Sequence, residues 1–192
     1  MKANKGIIWF VLGFLLMFSC KNANNESSTT NDVSVGENPQ TEKTGQAYVT
    51  DDEGKPSVLA IAIGSQDHTT LVAAVQAAEL ENALVNAGPL MVFAPTNEAF
   101  AALPEGTVEN LLKPENNEVL ANILKYHVTP GNYSKEFLTK FKKLGQANNQ
   151  YIAVEVVEGE PIIGGSKILA SIPAGNGIVH VIDKVLLPPS NE

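Results

Sequence analysis

Gly88-Pro89-Leu90-Met91-Val92-Phe93-Ala94-Pro95-Thr96-Asn97-Glu98-Ala99-Phe100 holds a strand, a breaker and a helix start in succession. Leu90 to Ala94 is an apolar run bounded by a Gly-Pro turn and by Pro95, the length and punctuation of a buried strand. Pro95 ends the run because it has no N–H to add to a ladder. Thr96 is then an N-cap, and Glu98 falls in the first turn, where negative charge meets the positive end of the helix dipole. The helix should run through Ala102 with Phe100 as its core anchor.

Upstream, Ser57 can cap a short apolar helix from Val58 to Ile63 that Gly64 stops. A second helix should follow, capped by Asp67 or Thr69, carrying Leu71, Val75, Ala78 and Leu84 near helical spacing and turned off at Gly88. Downstream, Thr107 starts a turn through Leu112. Pro114 suits the first position of a helix that points Val119, Leu120, Ile123 and Leu124 inward. That helix gives way to Tyr126-His127-Val128 and a Pro130-Gly131 turn. Ser134 caps one more helix, with Phe137 and Phe141 four apart on one face.

The last third changes period. Ile152, Val154 and Val156 alternate with Tyr151, Ala153 and Glu155, and a Glu158-Gly159 turn leads into Pro161-Ile162-Ile163. Gly164-Gly165 separates that hairpin from Lys167 to Ile172, the run Pro173 to Gly177 makes another turn, and Ile178 to Leu187 closes as a strand before Pro188-Pro189. Helices first and strands later predict an α+β fold with a largely antiparallel sheet.

Three segments in order resemble the signatures of fasciclin-like domains. The Gly88 to Phe100 stretch, continuing to Leu103-Pro104, is similar to the family's first homology box. Asn176-Gly177-Ile178-Val179-His180-Val181-Ile182-Asp183-Lys184-Val185-Leu186-Leu187-Pro188 is similar to the second. Between them, Leu124-Lys125-Tyr126-His127-Val128 with Pro130-Gly131 resembles the central Tyr-His motif. The resemblance implies one domain over 56–189, a wedge of β-strands packed with several short helices. It also implies a place among extracellular adhesion and matrix proteins and secreted or surface bacterial proteins, with no shared catalytic activity. Only Tyr126 and His127 carry over as interaction residues.

Composition agrees with a single unit, because 192 residues with 44% hydrophobic content hold one domain of roughly 100–150 residues and a modest extra. The net charge is −8 and all 13 basic residues are lysines. Nucleic-acid binding is not expected without a basic face or the bidentate fork of Arg. A single Cys excludes an intramolecular disulfide, and with no Cys in the domain a Cys/His zinc site of ordinary spacing is excluded too. No cofactor is expected.

That Cys closes the N-terminal segment. Lys2 and Lys5 precede an apolar stretch from Ile7 to Phe18 and then Ser19-Cys20, which reads as a secretory signal peptide over 1–19, too short for a comfortable membrane span. Ser19-Cys20 resembles the processing site of bacterial lipoproteins, which implies lipidation of Cys20. An ordinary secretory signal with an incidental Cys is the alternative. Residues 20–55 are rich in Asn, Ser, Thr, Glu and Gly and read as a disordered tether with a mean reach on the order of 35 Å. Residues 190–192 form a tail.

Each polar candidate has a structural and a functional reading. Tyr126 and His127 sit where a helix passes into a strand, where such rings pack inward with the polar tip hydrogen bonded, although contact with a partner is the functional alternative. His180 alternates with Val179 and Val181 and is expected on the surface. Asp51-Asp52-Glu53 is a solvated run lacking the geometry of a calcium loop. Gly164-Gly165 is a turn, with no phosphate-loop sequence after it. Ser65, Ser134, Ser166 and Ser171 lie in no nucleophile elbow, so no enzyme is expected.

The expected protein is an envelope-anchored, monomeric lipoprotein for adhesion or for protein or matrix interaction, held by the lipid at Cys20 to the outer membrane or cell surface ahead of the inner membrane. A small-molecule- or glycan-binding lipoprotein is the alternative.

Overall fold

The computed structural model describes residues 54–86 and 88–189. The signal peptide over 1–19, Cys20, the tether as far as residue 53 with its acidic run, and the tail 190–192 lie outside the described residues.

Ser57 opens the domain by accepting the Ala60 N–H at 3.1 Å, and α1 runs Val58–Gly64. A 3-10 turn, Gln66–His68, leads into α2, Thr69–Ala77, and then α3, Glu81–Asn86. The expected long helix over this region is therefore broken. Glu79 adopts φ +54°, a left-handed conformation that ends α2 and redirects the chain. Neither Asp67 nor Thr69 caps α2; Ser65 caps the 3-10 turn through the Asp67 N–H.

β1, Leu90–Pro95, takes in Pro95 opposite Ile182, one residue beyond the expected run, and α4, Asn97–Ala101, follows with the Thr96 hydroxyl accepting the Ala99 N–H at 3.3 Å. Ala99 is the buried residue of α4, and Phe100 is half-buried at the edge of the core. α5 is Thr107–Leu111, and Pro114 opens a 3-10 turn before α6, Asn117–Tyr126. In α6, Leu120, Ile123 and Leu124 point inward, while Val119 is 53% exposed, one position off the apolar stripe. β2 is Val128–Pro130, and α7 is Lys135–Leu138, capped by Ser134. Leu138, not Phe137, is the fully buried side chain of α7.

The remaining strands are β3, Lys143–Gly145; β4, Tyr151–Val157; β5, Glu160–Ile163; β6, Ser166–Ala174; and β7, Gly177–Ile182. β3 was not expected, being three residues long with a single buried side chain. Glu158-Gly159 and Gly164-Gly165 both have positive φ at their two positions, the twist that a two-residue hairpin turn requires.

The seven strands form one sheet in the order β2-β1-β7-β6-β5-β4-β3. β1 and β7 pair in parallel, with Leu90 opposite Gly177 and Phe93 opposite His180, and every other pair is antiparallel. One core gathers Met91, Phe93, Ile178 and Ile182 with Leu138, Ile152 and Ile163, where the β3–β5 part of the sheet folds back. A second core, on the other face of β1 and β7, packs Ala94 and Val179 against Leu71, Val75, Leu120 and Leu124 of the helices. Each large apolar side chain fully buried there contributes roughly 1.5–3 kcal/mol.

Candidate functional site

Because β1 and β7 lie mid-sheet with a core on each face, all six residues of β7 are buried. His180 is therefore inside, 0% exposed, and the expectation of a surface His is overturned. Alternation predicts exposure only where one face meets water, and here neither does. The His180 ring stacks on Phe93 with centroids 5.8 Å apart. Its Nε2 lies 3.0 Å from the Tyr133 carbonyl, which can only accept, so Nε2 carries the proton and Nδ1 accepts from the Ser171 hydroxyl at 2.8 Å. Burial lowers its pKa, which the Tyr133 carbonyl and Glu136 partly oppose.

His127 takes the opposite tautomer. Its Nδ1–H donates to the Ile123 carbonyl at 2.9 Å, and its Nε2 accepts the Leu186 N–H at 2.9 Å. Fully enclosed, it is held neutral, with its pKa pushed down to about 4 by burial against a smaller opposing effect of the Ile123 carbonyl. Tyr126 beside it is buried, and its hydroxyl donates to the Tyr151 carbonyl at 3.3 Å. Burial raises the pKa of that hydroxyl. The two residues thus face inward, Tyr126 into the sheet core and His127 onto the segment after β7.

His68 is also buried, with Nδ1 2.9 Å from the Ser65 hydroxyl and an Nε2 that makes no hydrogen bond among the described residues. Burial lowers its pKa, with Asp67, the Ala94 carbonyl and Glu98 opposing.

Sequence reasoning missed a set of asparagine clips. Asn97 follows the Thr96 cap in sequence, but its amide reaches another helix: Oδ1 accepts the Thr70 N–H at 3.0 Å, and Nδ2 donates to the Gln66 carbonyl at 2.9 Å. It supplies the cap that α2 lacks. Asn176, in the β6–β7 turn, accepts the Val58 N–H at 2.9 Å and donates to the Leu84 carbonyl at 2.8 Å, pinning α1 and α3 to the sheet. Asn117 donates to the Ala77 carbonyl at 2.7 Å and so joins α6 to the end of α2. The signal for them is a polar amide next to a capping or turn residue, where a bond to a distant backbone group has no local trace.

Two surface features remain. Under α1–α3, against β1, lies a cavity of about 230 Å³ walled almost wholly by apolar side chains. On the β4–β6 ribbon, Tyr151, Val157 and Leu169 are 62%, 51% and 58% exposed. Lys143 lies over the Tyr151 ring, 4.2 Å from its centroid.

Comparison with known proteins agrees with this architecture. The family model described as the Fasciclin domain matches residues 66–188. Protein sll1483 of Synechocystis sp. is 40% identical over 158 residues, covering 82% of this chain and 87% of its own length. The transforming growth factor-beta-induced protein ig-h3 of Sus scrofa is 38% identical over 71% of this chain but only 20% of its own. The immunogenic protein MPB70 of Mycobacterium bovis is 32% identical, with 69% of each chain covered. Among solved structures, the domain pair from the insect cell adhesion molecule Fasciclin I superposes with a TM-score of 0.61 at 19% identity, over 69% of this chain and about half (51%) of that one.

Proposed function

We propose, starting from the fact that the chain belongs to the fasciclin domain family, that it is a lipid-anchored recognition module of a bacterial cell envelope. Cys20 carries the anchor, residues 20–55 the tether, and the monomeric domain binds a protein or matrix partner in adhesion without catalysing a reaction. The observation that carries the reading is the β4–β6 ribbon. Tyr151 and Val157 stay exposed on a strand held by ladders to β3 and β5, and Leu169 stays exposed at the irregularity of β6 against β7. Large apolar and aromatic side chains on a rigid element lose little freedom on binding and supply the central contacts of an interface. The solved insect relative is a cell adhesion molecule, which agrees with this use.

In this reading Tyr126 and His127 act by positioning, since their polar atoms are engaged inside the domain. The test compares surface adherence and pull-down from envelope extract for cells bearing the full chain, a deletion of residues 57–188, and the double variant Val157→Asp with Leu169→Asp. Loss of binding in the last two, with the melting temperature of the double variant unchanged, supports the proposal. Binding that survives the deletion overturns it.

A further inference from the structure

The cavity beneath α1–α3 has a wall that selects its occupant. Val58, Leu71, Val75, Leu84 and Val179 present hydrocarbon to it, and Leu84 and Val92 stay half-buried although they pack against the core. Water has little to bond there, because an ordered water needs two to four polar partners and the ring nitrogens of His127, the polar group deepest in the wall, are both engaged. An engineered apolar cavity of about 150 Å³ takes up benzene. This one, at about 230 Å³, has room for a straight chain on the order of eight carbons.

The mouth is marked by the exposed lining residues, Ala83 on α3, Lys125 on α6 and Ala147 in the turn after β3. Lys125 is the one charged group of the lining, and it forms no ion pair among the described residues. Among the described residues no carboxylate lines the cavity, in a chain whose net charge is −8. We propose that this cavity is a binding site for a medium-chain alkyl carboxylate, the chain lying between the helices and β1 and the carboxylate paired with Lys125. A neutral chain would gain the same burial without using the ammonium, and a cationic amphiphile would meet like charge at the mouth.

The test uses sodium octanoate, 1-octanol and octylammonium chloride, below micelle-forming concentrations, on the purified domain with its tether. Saturable octanoate binding by calorimetry is expected, with a rise in melting temperature. The methyl resonances of Val75 and Leu84 should move while those of Ile152 and Ile163 stay. Lys125→Glu, at an exposed position, should weaken octanoate about fivefold and favour octylammonium instead. Ala83→Trp, which blocks the mouth from an exposed position, should abolish binding of all three. Equal affinity for octanoate and octylammonium, or no saturable binding of octanoate, overturns the proposal. The double variant of Val157 and Leu169 should bind octanoate normally, so failure here and failure of the adhesion reading are told apart.

Discussion

The Nε2 atom of His127, at the end of α6, accepts a 2.9 Å hydrogen bond from the backbone N–H of Leu186, 59 positions further along the chain. With Nδ1–H given to Ile123, one neutral ring ties the helical layer to the segment that leaves the sheet after β7. His127→Ala removes both bonds, strands two buried backbone groups and opens a void. Urea unfolding should show a loss of about 3–5 kcal/mol; a loss under about 1 kcal/mol would contradict the role given to the ring.

The same burial makes the domain acid-sensitive. His127 has a folded pKa of about 4 against 6.5 when unfolded, so below 6.5 the unfolded chain takes up a proton that the folded one refuses. Its contribution, on the order of 3 kcal/mol, is complete above pH 6.5 and is lost as pH falls through about 4. His68 and His180 are shifted in the same direction. Stability measured at pH 7.5, 5.5 and 4.5 should fall at each step, and His127→Ala should flatten much of the slope. A constant stability across that range refutes the account.

Gly177 tolerates no side chain. A side chain there would collide with the backbone carbonyl of Leu90, in the parallel pairing that joins β1 to β7. Gly177→Ala should leave no cooperative unfolding transition by circular dichroism. A folded variant with an unchanged melting temperature would show that the pairing is looser than described.

Asn176→Ala should cost about 2–4 kcal/mol, since it leaves the Val58 N–H and the Leu84 carbonyl without their partner. Hydrogen exchange should quicken first in α1 and α3. Uniform exchange across the domain would mean that the turn does not hold those helices separately.

Cys20→Ser should move the full-length protein from the membrane fraction to the soluble fraction, read by fractionation and by incorporation of labelled palmitate. Continued membrane attachment would remove lipidation from the proposal.

Much of the fold could be read from local chemistry. Ser57, Thr96 and Ser134 cap where a hydroxyl before an apolar run should, and the Glu158-Gly159 and Gly164-Gly165 turns fall between alternating strands. What could not be read depends on neighbours far along the chain. His180 looks like a surface residue until the helices and the folded-back strands cover both faces of β7, and Asn97 looks like part of its own helix cap until α2 is brought against it. The break at Glu79 has no Gly or Pro to mark it; it follows from Leu80, whose N–H bonds back to the Val75 carbonyl. The inward packing of Tyr126 and His127 was legible from their place where a helix passes into a strand, whereas the exposed ribbon is visible only once the strands are paired.

The parallel seam between β1 and β7 also orders events in time. Those strands stand side by side in the sheet, so a nascent chain without β7 has neither hydrophobic layer closed over Phe93 or Ala94. Nothing durable can form before β7 leaves the ribosome, and the residues ahead of it must stay pliable until then.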